Sequence, residues 1–249
     1  MLDLSHHLWI LAAALLLDAV IGDPPWLWRR LPHPIALTGR LIGWLDHRLN
    51  HDGDAPARRR AMGVATTLLL VLLAVGIGWG LSALLRALTF GWVLEIAVAA
   101  VFLAQRSLHD HVAAVAAACE LEGLDGGRRA VSMIVGRDPQ SLDMAGVCRA
   151  AIESDAENTS DGVFAPAFWF ALLGLPGILV YKAVNTADSM IGHRTARHEA
   201  FGWASARLDD VLNLVPARLC GALLALAAPF GGGRIGAAWR AMLRDAPKH

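Results

Sequence analysis

The sequence predicts an all-α, polytopic integral membrane protein, and three observations support this prediction. Of the 249 residues, 55% are hydrophobic and only 18% are charged, whereas charged residues make up about 25% of a typical soluble domain. Several uninterrupted apolar runs approach or exceed the length of a membrane helix. Arginine-rich segments separate some of these runs, as in cytoplasmic loops. The formal net charge is zero, so the composition gives no indication of a nucleic-acid-binding surface.

Three apolar segments in the first half of the chain are predicted to be membrane helices. Residues 8–21 form a short segment that contains Asp18. An acid in an apolar helix is a functional candidate, and the alternative is that Asp18 lies at the depth of the membrane interface. Residues 62–85 are long enough to cross a bilayer. Residues 92–103 return after a tight turn, so these last two segments should form a transmembrane hairpin.

The connection between the first two apolar segments is rich in arginine. Residues 26–60 contain seven arginines, and the positive-inside rule places such a loop in the cytoplasm. Within it, residues 35–49 are amphipathic and should lie at the membrane surface as a helix. The three consecutive arginines at residues 58–60 are predicted to bind anionic lipid.

The second half of the chain alternates between polar and apolar helices. Residues 105–149 are polar, with a glycine-rich break at residues 123–127. The apolar residues 163–184 are interrupted at residues 174–177, so each half is about eleven residues, or roughly 16 Å of helix. The segment is either one kinked span or two half-helices that turn back, as in a re-entrant loop. A polar helix is expected at residues 193–213, a short apolar one at 216–230 and an amphipathic tail at 234–249, all within one domain of residues 1–249.

An acidic cluster marks the start of the interrupted segment. Residues 153–161 contain four carboxylates. If they are helical, Glu153, Glu157 and Asp161 lie on one stripe at positions i, i+4 and i+8, with Asn158 beside them. Such carboxylates repel one another unless a cation lies among them, and Mg²⁺ is a suitable ion because it binds carboxylate oxygens, water and phosphate. The alternative is a solvated acidic face.

Two later clusters complement these acids. Lys182, Asn185 and Asp188 share a helix face, which offers a cation for phosphate and oxygens for a metal. Residues 207–213 add Arg207 and Asp209. Together the clusters indicate phosphoryl or diphosphate chemistry at a membrane surface, and this interpretation favours the two half-helices because they bring Asp161 and Lys182 to the same side.

The strings in these clusters resemble a known family. Glu-Asn-Thr-Ser-Asp-Gly at residues 157–162, Asn-Thr-Ala-Asp-Ser-Met at 185–190 and Ser-Ala-Arg-Leu-Asp-Asp at 205–210 are similar to signatures of adenosylcobinamide-phosphate synthase, the CobD/CbiB family of cobalamin biosynthesis. Residues 17–24, 33–34, 135–138 and 216–219 resemble it too. Asp155 departs from the pattern, which has an apolar residue there.

The resemblance implies an inner-membrane ligase whose active site faces the cytoplasm. It would join a propionate of adenosylcobyric acid to the amine of 1-amino-2-propanol phosphate, or of a close amino-alcohol phosphate, and would consume ATP. Mg²⁺ would be held by acids such as Glu157, Asp161 and Asp188. The attacking amine would lose its proton to Glu153 or Asp209. The residues expected to bind phosphate or substrate are Lys182, Asn185, Arg207, Arg137 and Asn158.

Two other classes of protein share some of these features. A Mg²⁺-dependent membrane phosphotransferase or prenyltransferase also uses acidic clusters to hold a diphosphate. A non-enzymatic corrinoid transporter or assembly subunit would bind corrinoid without an ATP-dependent product. The long strings favour the synthase, and a homo-oligomer or contact with other cobalamin-pathway enzymes is left open. Family members usually continue into a Pro-Asn-Ala-Gly-Trp-like stretch, so a sequence that ends at His249 is expected to lack the family's C-terminal part.

Overall fold

The computed structural model describes residues 3–135 and 139–245, and these residues form helices and turns with no β-strand. This confirms the all-α prediction. The α-helices are α1 (Leu4–Ile21), α2 (Pro25–Trp28), α3 (Pro34–Leu49), α4 (Pro56–Arg86), α5 (Gly91–Val101), α6 (Gln105–Val131), α7 (Met144–Asn158), α8 (Ala165–Leu173), α9 (Leu175–Ile191), α10 (Trp203–Asn213), α11 (Pro216–Ala227) and α12 (Ile235–Asp245). Short 3₁₀ turns occupy Pro139–Ser141 and Ala228–Gly231, and a π-helical turn occupies Thr159–Phe164.

Three helical stretches are long and apolar enough to cross a membrane. They are Leu4–Ile21, Pro56–Arg86 and Gly91–Val131, in which α5 leads into α6. A fourth candidate combines Trp203–Asn213 with Pro216–Gly231, which are bent by 44° relative to each other. Large apolar side chains on α4, such as Leu72 and Ile77, are more than half exposed, as expected for a surface in contact with lipid. The predicted polytopic membrane protein is therefore confirmed.

Asp18 has a structural role that neither of its two predicted explanations included. Its side chain is 3% exposed, and its Oδ2 accepts hydrogen bonds from the backbone N–H groups of Gln105 (2.8 Å) and Arg106 (3.4 Å). These N–H groups belong to the first turn of α6, where no earlier carbonyl of the same helix is available to them. Asp18 therefore joins the end of α1 to the start of α6.

The apolar segment after the acidic cluster turns back on itself, as the preferred prediction required. Gly174 has φ of +65°, a conformation that is costly for residues with a Cβ atom, and α8 ends there. Beyond this turn, Gly177 packs against the backbone carbonyl of Trp169 so closely that a Cβ atom would not fit. Asp161 and Lys182, on either side of this turn, also lie near enough to interact electrostatically. In one continuous span they would lie about 30 Å apart, so the chain turns back at Gly174.

The hairpin of α8 and α9 packs against α4, with α9 antiparallel to it. A Cβ atom at Gly78 would lie 2.5 Å from the Cα of Pro176 near the hairpin tip. At the other end, Gly63 packs against the carbonyl of Phe201, ten residues beyond the end of α9. Gly63 and Gly78 are 15 residues apart, or about 22 Å along a helix. α9 and the loop after it therefore lie beside about 22 Å of α4, compared with about 30 Å for a hydrocarbon core.

The buried core consists of three clusters, and α9 contributes to two of them. The first joins α1, α5, α8 and the start of α9 around Phe170. The second joins α3, α4 and the end of α9 around Ile42 and Phe201. The third, between α6 and α7, centres on Val131 and Val147. Because α9 is held by both larger clusters, polar side chains on its second half are set in a rigid frame.

Candidate functional site

The three predicted polar clusters meet at one end of the helix bundle. Asp161 lies in the π-helical turn, Lys182 and Asp188 on α9, and Asp209 on α10. Asp161 lies near enough to the other three to act on them electrostatically. Asp209 is 8% exposed and buried, whereas the other three are half-buried. Residues that are far apart in the sequence thus form one partly enclosed cluster, because the α8–α9 hairpin returns the chain to its starting side.

Asp161 lies in a π-helical turn, whereas the earlier acids Glu153 and Glu157 lie on α7. The turn ends in a hydrogen bond from the N–H of Ala165 to the carbonyl of Ser160, which spans five residues rather than four. Glu153 and Glu157 are exposed, but Asp161 is half-buried. Asp161 nevertheless lies near enough to Glu157 and to Lys182 on α9 to interact with both electrostatically, so the predicted stripe of three acids stays a prediction.

Burial and neighbouring acids destabilise the ionised forms of Asp161 and Asp188. Burial raises the pKa of Asp161, and neighbouring Glu157 and Asp188 add to this rise, while the Ser160 hydroxyl and Lys182 oppose it. Burial also raises the pKa of Asp188; Asp210 adds to the rise. A raised carboxyl pKa means that the ionised form is stabilised too little by its surroundings, so a cation placed beside it would bind favourably.

Lys182 is the only basic residue of α9, and it belongs to this cluster. Burial lowers the pKa of its ammonium group, and the charges of Asp161 and Asp23 oppose the decrease. Within the described residues, Lys182 makes no ion pair closer than 4 Å, and neither do Asp161, Asp188 and Asp209. The charged groups are therefore near one another but not paired.

A chain of hydrogen bonds orients the carboxylate of Asp209. Its Oδ1 accepts from Asn185 Nδ2 (3.4 Å) and its Oδ2 accepts from Asn213 Nδ2 (2.9 Å). Asn213 in turn accepts a hydrogen bond from the Tyr181 hydroxyl at 3.0 Å. The amide of Asn185, predicted to contact substrate, thus donates to Asp209, and both oxygens of this buried carboxylate are held in place from α9 and α10.

Three of the predicted residues lie outside this enclosed cluster. Glu153 is exposed on α7. The Asn158 amide donates to the Ser154 carbonyl at 2.8 Å and lines a different cavity, of about 390 Å³, beside α6. Arg207 is exposed and pairs with Asp210 at 3.2 Å. Arg137 lies outside the described residues.

Two cavities flank α9. The first, of about 410 Å³, is mainly apolar, lies between α3, α4 and α9, and has Lys182 in its wall. The second, of about 450 Å³, is polar and lies between α4, α9 and α10, with Asp188 in its wall. Lys182 and Asp188 thus face different cavities although they belong to the same helix.

Comparison with known proteins places this arrangement in a family. The model of the family described as CobD/Cbib protein matches residues 11–249. The chain belongs to this family. A cobalamin biosynthesis protein CobD from Sinorhizobium sp. is 56% identical over 84% of this chain and 65% of its own length. The proteins of the same name from Rhizobium meliloti (strain 1021) and Brucella suis biovar 1 (strain 1330) are 55% and 51% identical, over 92% and 96% of this chain and 70% and 74% of their own lengths.

The chain therefore spans about two thirds to three quarters of the length of these curated relatives. No solved structure matches it. The family match extends over all the helices that form the polar cluster. Three of the CobD/CbiB strings noted in the sequence each contribute an acid to this cluster, namely Asp161, Asp188 and Asp209.

The sequence reasoning did not place Asp23 and His33 in the site. Asp23 acts electrostatically on Lys182, accepts a hydrogen bond from Trp28 Nε1 at 3.2 Å and lies 3.7 Å from Nε2 of His33. Both residues occur in strings that resemble the CobD/CbiB family, and this resemblance is the signal by which the sequence could have identified them. The proximity of Asp23 to Lys182 depends on how distant helices pack together, and local sequence carries no information on that packing.

The acids of the cluster suit a magnesium ion that arrives with a phosphate ligand. The described residues contain no group of three or more His, Cys, Asp or Glu side chains that converge as a preformed metal site. Mg²⁺ usually takes only one or two carboxylates and completes its shell with water and substrate phosphate. Asp161 and Asp188, with Glu157 beside them, are of the right type for this mode of binding.

Proposed function

We propose that the protein is a cobalamin-biosynthesis membrane ligase, an adenosylcobinamide-phosphate synthase. It joins a propionate of adenosylcobyric acid to the amine of 1-amino-2-propanol phosphate, with consumption of ATP. The observation that carries the proposal is the convergence of acids from three family strings, together with Lys182, on one partly buried cluster. Relatives named as cobalamin biosynthesis proteins at 51–56% identity support it.

Amide formation from a carboxylate requires activation, because the carboxylate carbon is a poor electrophile. In the first step, a propionate oxygen attacks the γ-phosphorus of ATP, a P–O bond to ADP breaks, and an acyl phosphate forms. In the second step, the amine attacks the acyl carbon, the C–N bond forms, and inorganic phosphate leaves. The nitrogen must also lose a proton, so the site needs both a means of stabilising negative charge and a base.

The residues of the cluster are suited to these tasks. Asp161 and Asp188, with Glu157, would hold Mg²⁺, which neutralises the charge that develops on phosphate oxygens when it is bound. Lys182 would bind the phosphate of the amino alcohol. Asp209 is the favoured base because both of its oxygens are oriented by amides, whereas Glu153 is exposed on α7.

The proposed orientation places the cluster at the cytoplasmic face of the inner membrane. Gly63, on the first turns of α4, packs at the same end of the bundle as Phe201, which precedes α10. The arginines at residues 58–60 start the same helix. By the positive-inside rule, this end of the bundle faces the cytoplasm, where ATP is available.

The test is to incubate the purified full chain in lipid nanodiscs with adenosylcobyric acid, aminopropanol phosphate and Mg-ATP, and to look for the amide by mass spectrometry. We expect the amide together with one ADP per amide. A relative of full family length, assayed in parallel, is the positive control. If the relative makes the amide and this chain does not, the proposal is rejected for this chain. If the chain binds corrinoid but consumes no ATP, a transport or assembly role replaces it.

A further inference from the structure

The polar cavity on the α10 side of α9 has a composition that the proposed roles leave unexplained. It holds about 450 Å³ and is lined by arginines, acids and a tryptophan: Arg60, Arg194, Arg207, Asp188, Asp210 and Trp203. Asp188 is the link to the catalytic cluster. The arginines come from α4, α10 and the loop after α9, so they are brought together only by the tertiary fold.

The three arginines are available to an anion to different extents. The guanidinium of Arg60 lies 4.5 Å from the centre of the Trp203 ring, which fixes its position without occupying its hydrogen-bond donors. Arg207 forms an ion pair with Asp210. Arg194 makes no hydrogen bond or ion pair with any other described residue. Arg60 and Arg194 thus present guanidinium groups whose donors have no acceptor among the described residues.

The loop that carries Arg194 is held by a buried polar network. Arg59 is 9% exposed and donates to Asn50 Oδ1 at 2.8 Å and to the Arg197 carbonyl. Asp46 accepts from Asn50 at 2.7 Å and from Arg197 at 2.9 Å. This network fixes the backbone of the loop against α3 and α4, so a ligand has to order only the side chain of Arg194 and not the loop.

The charges in this cavity suit a polyphosphate bound with a divalent cation. Guanidinium groups bind phosphate oxygens through paired donors. The acids in the wall, Asp188, Asp210 and Glu199, would repel a bare polyphosphate but would attract the metal that accompanies it. The single phosphate of the amino alcohol carries less negative charge than a polyphosphate and so needs fewer cations. Lys182, on the opposite side of α9, can supply one.

We propose that this cavity is the site for the polyphosphate of a magnesium nucleoside triphosphate, and that α9 separates it from the amino-alcohol phosphate at Lys182. The inference takes the identity of the nucleotide, ATP, from the proposed function. The two phosphate-bearing substrates approach the acidic cluster from opposite sides. The γ-phosphate lies at Asp188, and the nucleotide extends past Arg194 towards Arg60 and Trp203.

The test measures binding of a non-hydrolysable Mg-ATP analogue to the full chain in nanodiscs of zwitterionic lipid, without corrinoid or amino alcohol. We expect R60A and R194A each to weaken binding by about tenfold or more, as for the loss of a hydrogen bond to a charged group. R86A removes an exposed arginine at the far end of α4 and is the matched control with unchanged affinity. The analogue should also change the tryptophan fluorescence of the parent chain, and W203F should abolish this change.

Two results would overturn the proposal, and both are distinct from failure of the proposed function. If R194A binds the analogue as the parent does, the nucleotide lies elsewhere. If R86A weakens binding of the analogue as much as R194A does, the loss reflects net charge rather than this cavity. Nucleotide binding that depends on Arg194 in a chain that makes no amide would support this inference while refuting the ligase.

Discussion

Glu95 and the acids of the polar cluster lie at opposite ends of the helix bundle, and they differ in their partners. At the end opposite to the polar cluster, Glu95 is 6% exposed and its Oε2 lies 2.9 Å from Nε2 of His6. At the cluster end, Asp161, Asp188 and Asp209 make no such ion pair within the part of the chain that the structure describes. An acid paired with a basic group stabilises the fold, whereas nearby acids without an ion-pair partner are candidates for a ligand site. Ion-pair partners, rather than burial, therefore distinguish Glu95 from the acids of the proposed site.

The largest expected effect is the loss of activity in Asp161→Asn. The substitution keeps the size of the side chain but removes the charge that would hold the metal. We expect amide formation to fall by about 100-fold or more, as when a group that stabilises transition-state charge is removed. Single-turnover kinetics with product detection by mass would measure this. If a folded variant keeps nearly the activity of the parent, Asp161 is not part of the site.

The next effect concerns Lys182, the cation on the other side of α9. Lys182→Met keeps most of the apolar stem and removes the ammonium group. We expect KM for aminopropanol phosphate to rise by about tenfold to 100-fold, with KM for ATP unchanged. Steady-state kinetics with each substrate varied in turn would measure the two KM values separately. An increase in KM for ATP alone would place the nucleotide, rather than the amino alcohol, at Lys182.

Glu95→Gln tests the acid at the opposite end. We expect a decrease of about 1–3 kcal/mol in the free energy of unfolding because a buried hydrogen bond to a charged group is weakened. The turnover of the variant should remain that of the parent, because the pair lies far from the cluster. Thermal unfolding in detergent and the amide assay together measure both effects. Loss of turnover without loss of stability would contradict the structural role of Glu95.

The pH dependence of the Mg²⁺ requirement should also distinguish the acids of the polar cluster from exposed carboxylates. Burial raises the pKa of Asp161 and Asp188, so both take up protons at a higher pH than exposed carboxylates do. Because metal binding needs the ionised forms, we expect the Mg²⁺ concentration for half-maximal activity to rise as the pH is lowered from about 8 to 5. Without metal, the folded state holds these protons more tightly than the unfolded chain, so its stability should fall as the pH rises. A Mg²⁺ requirement that is constant over this range would contradict the assignment.

The smallest effect is expected for Tyr181→Phe. Tyr181 is fully buried, and its hydroxyl donates to Asn213, which in turn orients Asp209. Removal of the hydroxyl leaves the amide of Asn213 free to rotate, so kcat should fall by less than about tenfold, while KM for both substrates stays the same. Rapid-quench measurements of the amide-forming step would detect this. An unchanged kcat would show that the orientation of Asp209 does not depend on Tyr181.

Much of the fold could be predicted because its signals are local. The long apolar run at residues 62–85 lies within α4, and the break at residues 174–177 coincides with the turn at Gly174. The return of Asp161 and Lys182 to one side could be predicted because half-helices of about eleven residues are too short to cross a bilayer. The π-helical turn could not be predicted, because it differs from an α-helix by one inserted residue that packing, rather than local propensity, must stabilise.

By itself, the sequence determined the class of protein, the position of most helices and the acids that carry the proposed chemistry. These follow from apolar periodicity, from glycine and proline positions and from strings that resemble a family. The tertiary structure alone decided that Asp18 joins α1 to α6, that Asp23 lies near Lys182, and that Arg60 and Arg194 face the same cavity. Such contacts depend on how helices distant in sequence pack together, and close backbone approaches at Gly63 and Gly78 set that packing against α9 and the loop after it.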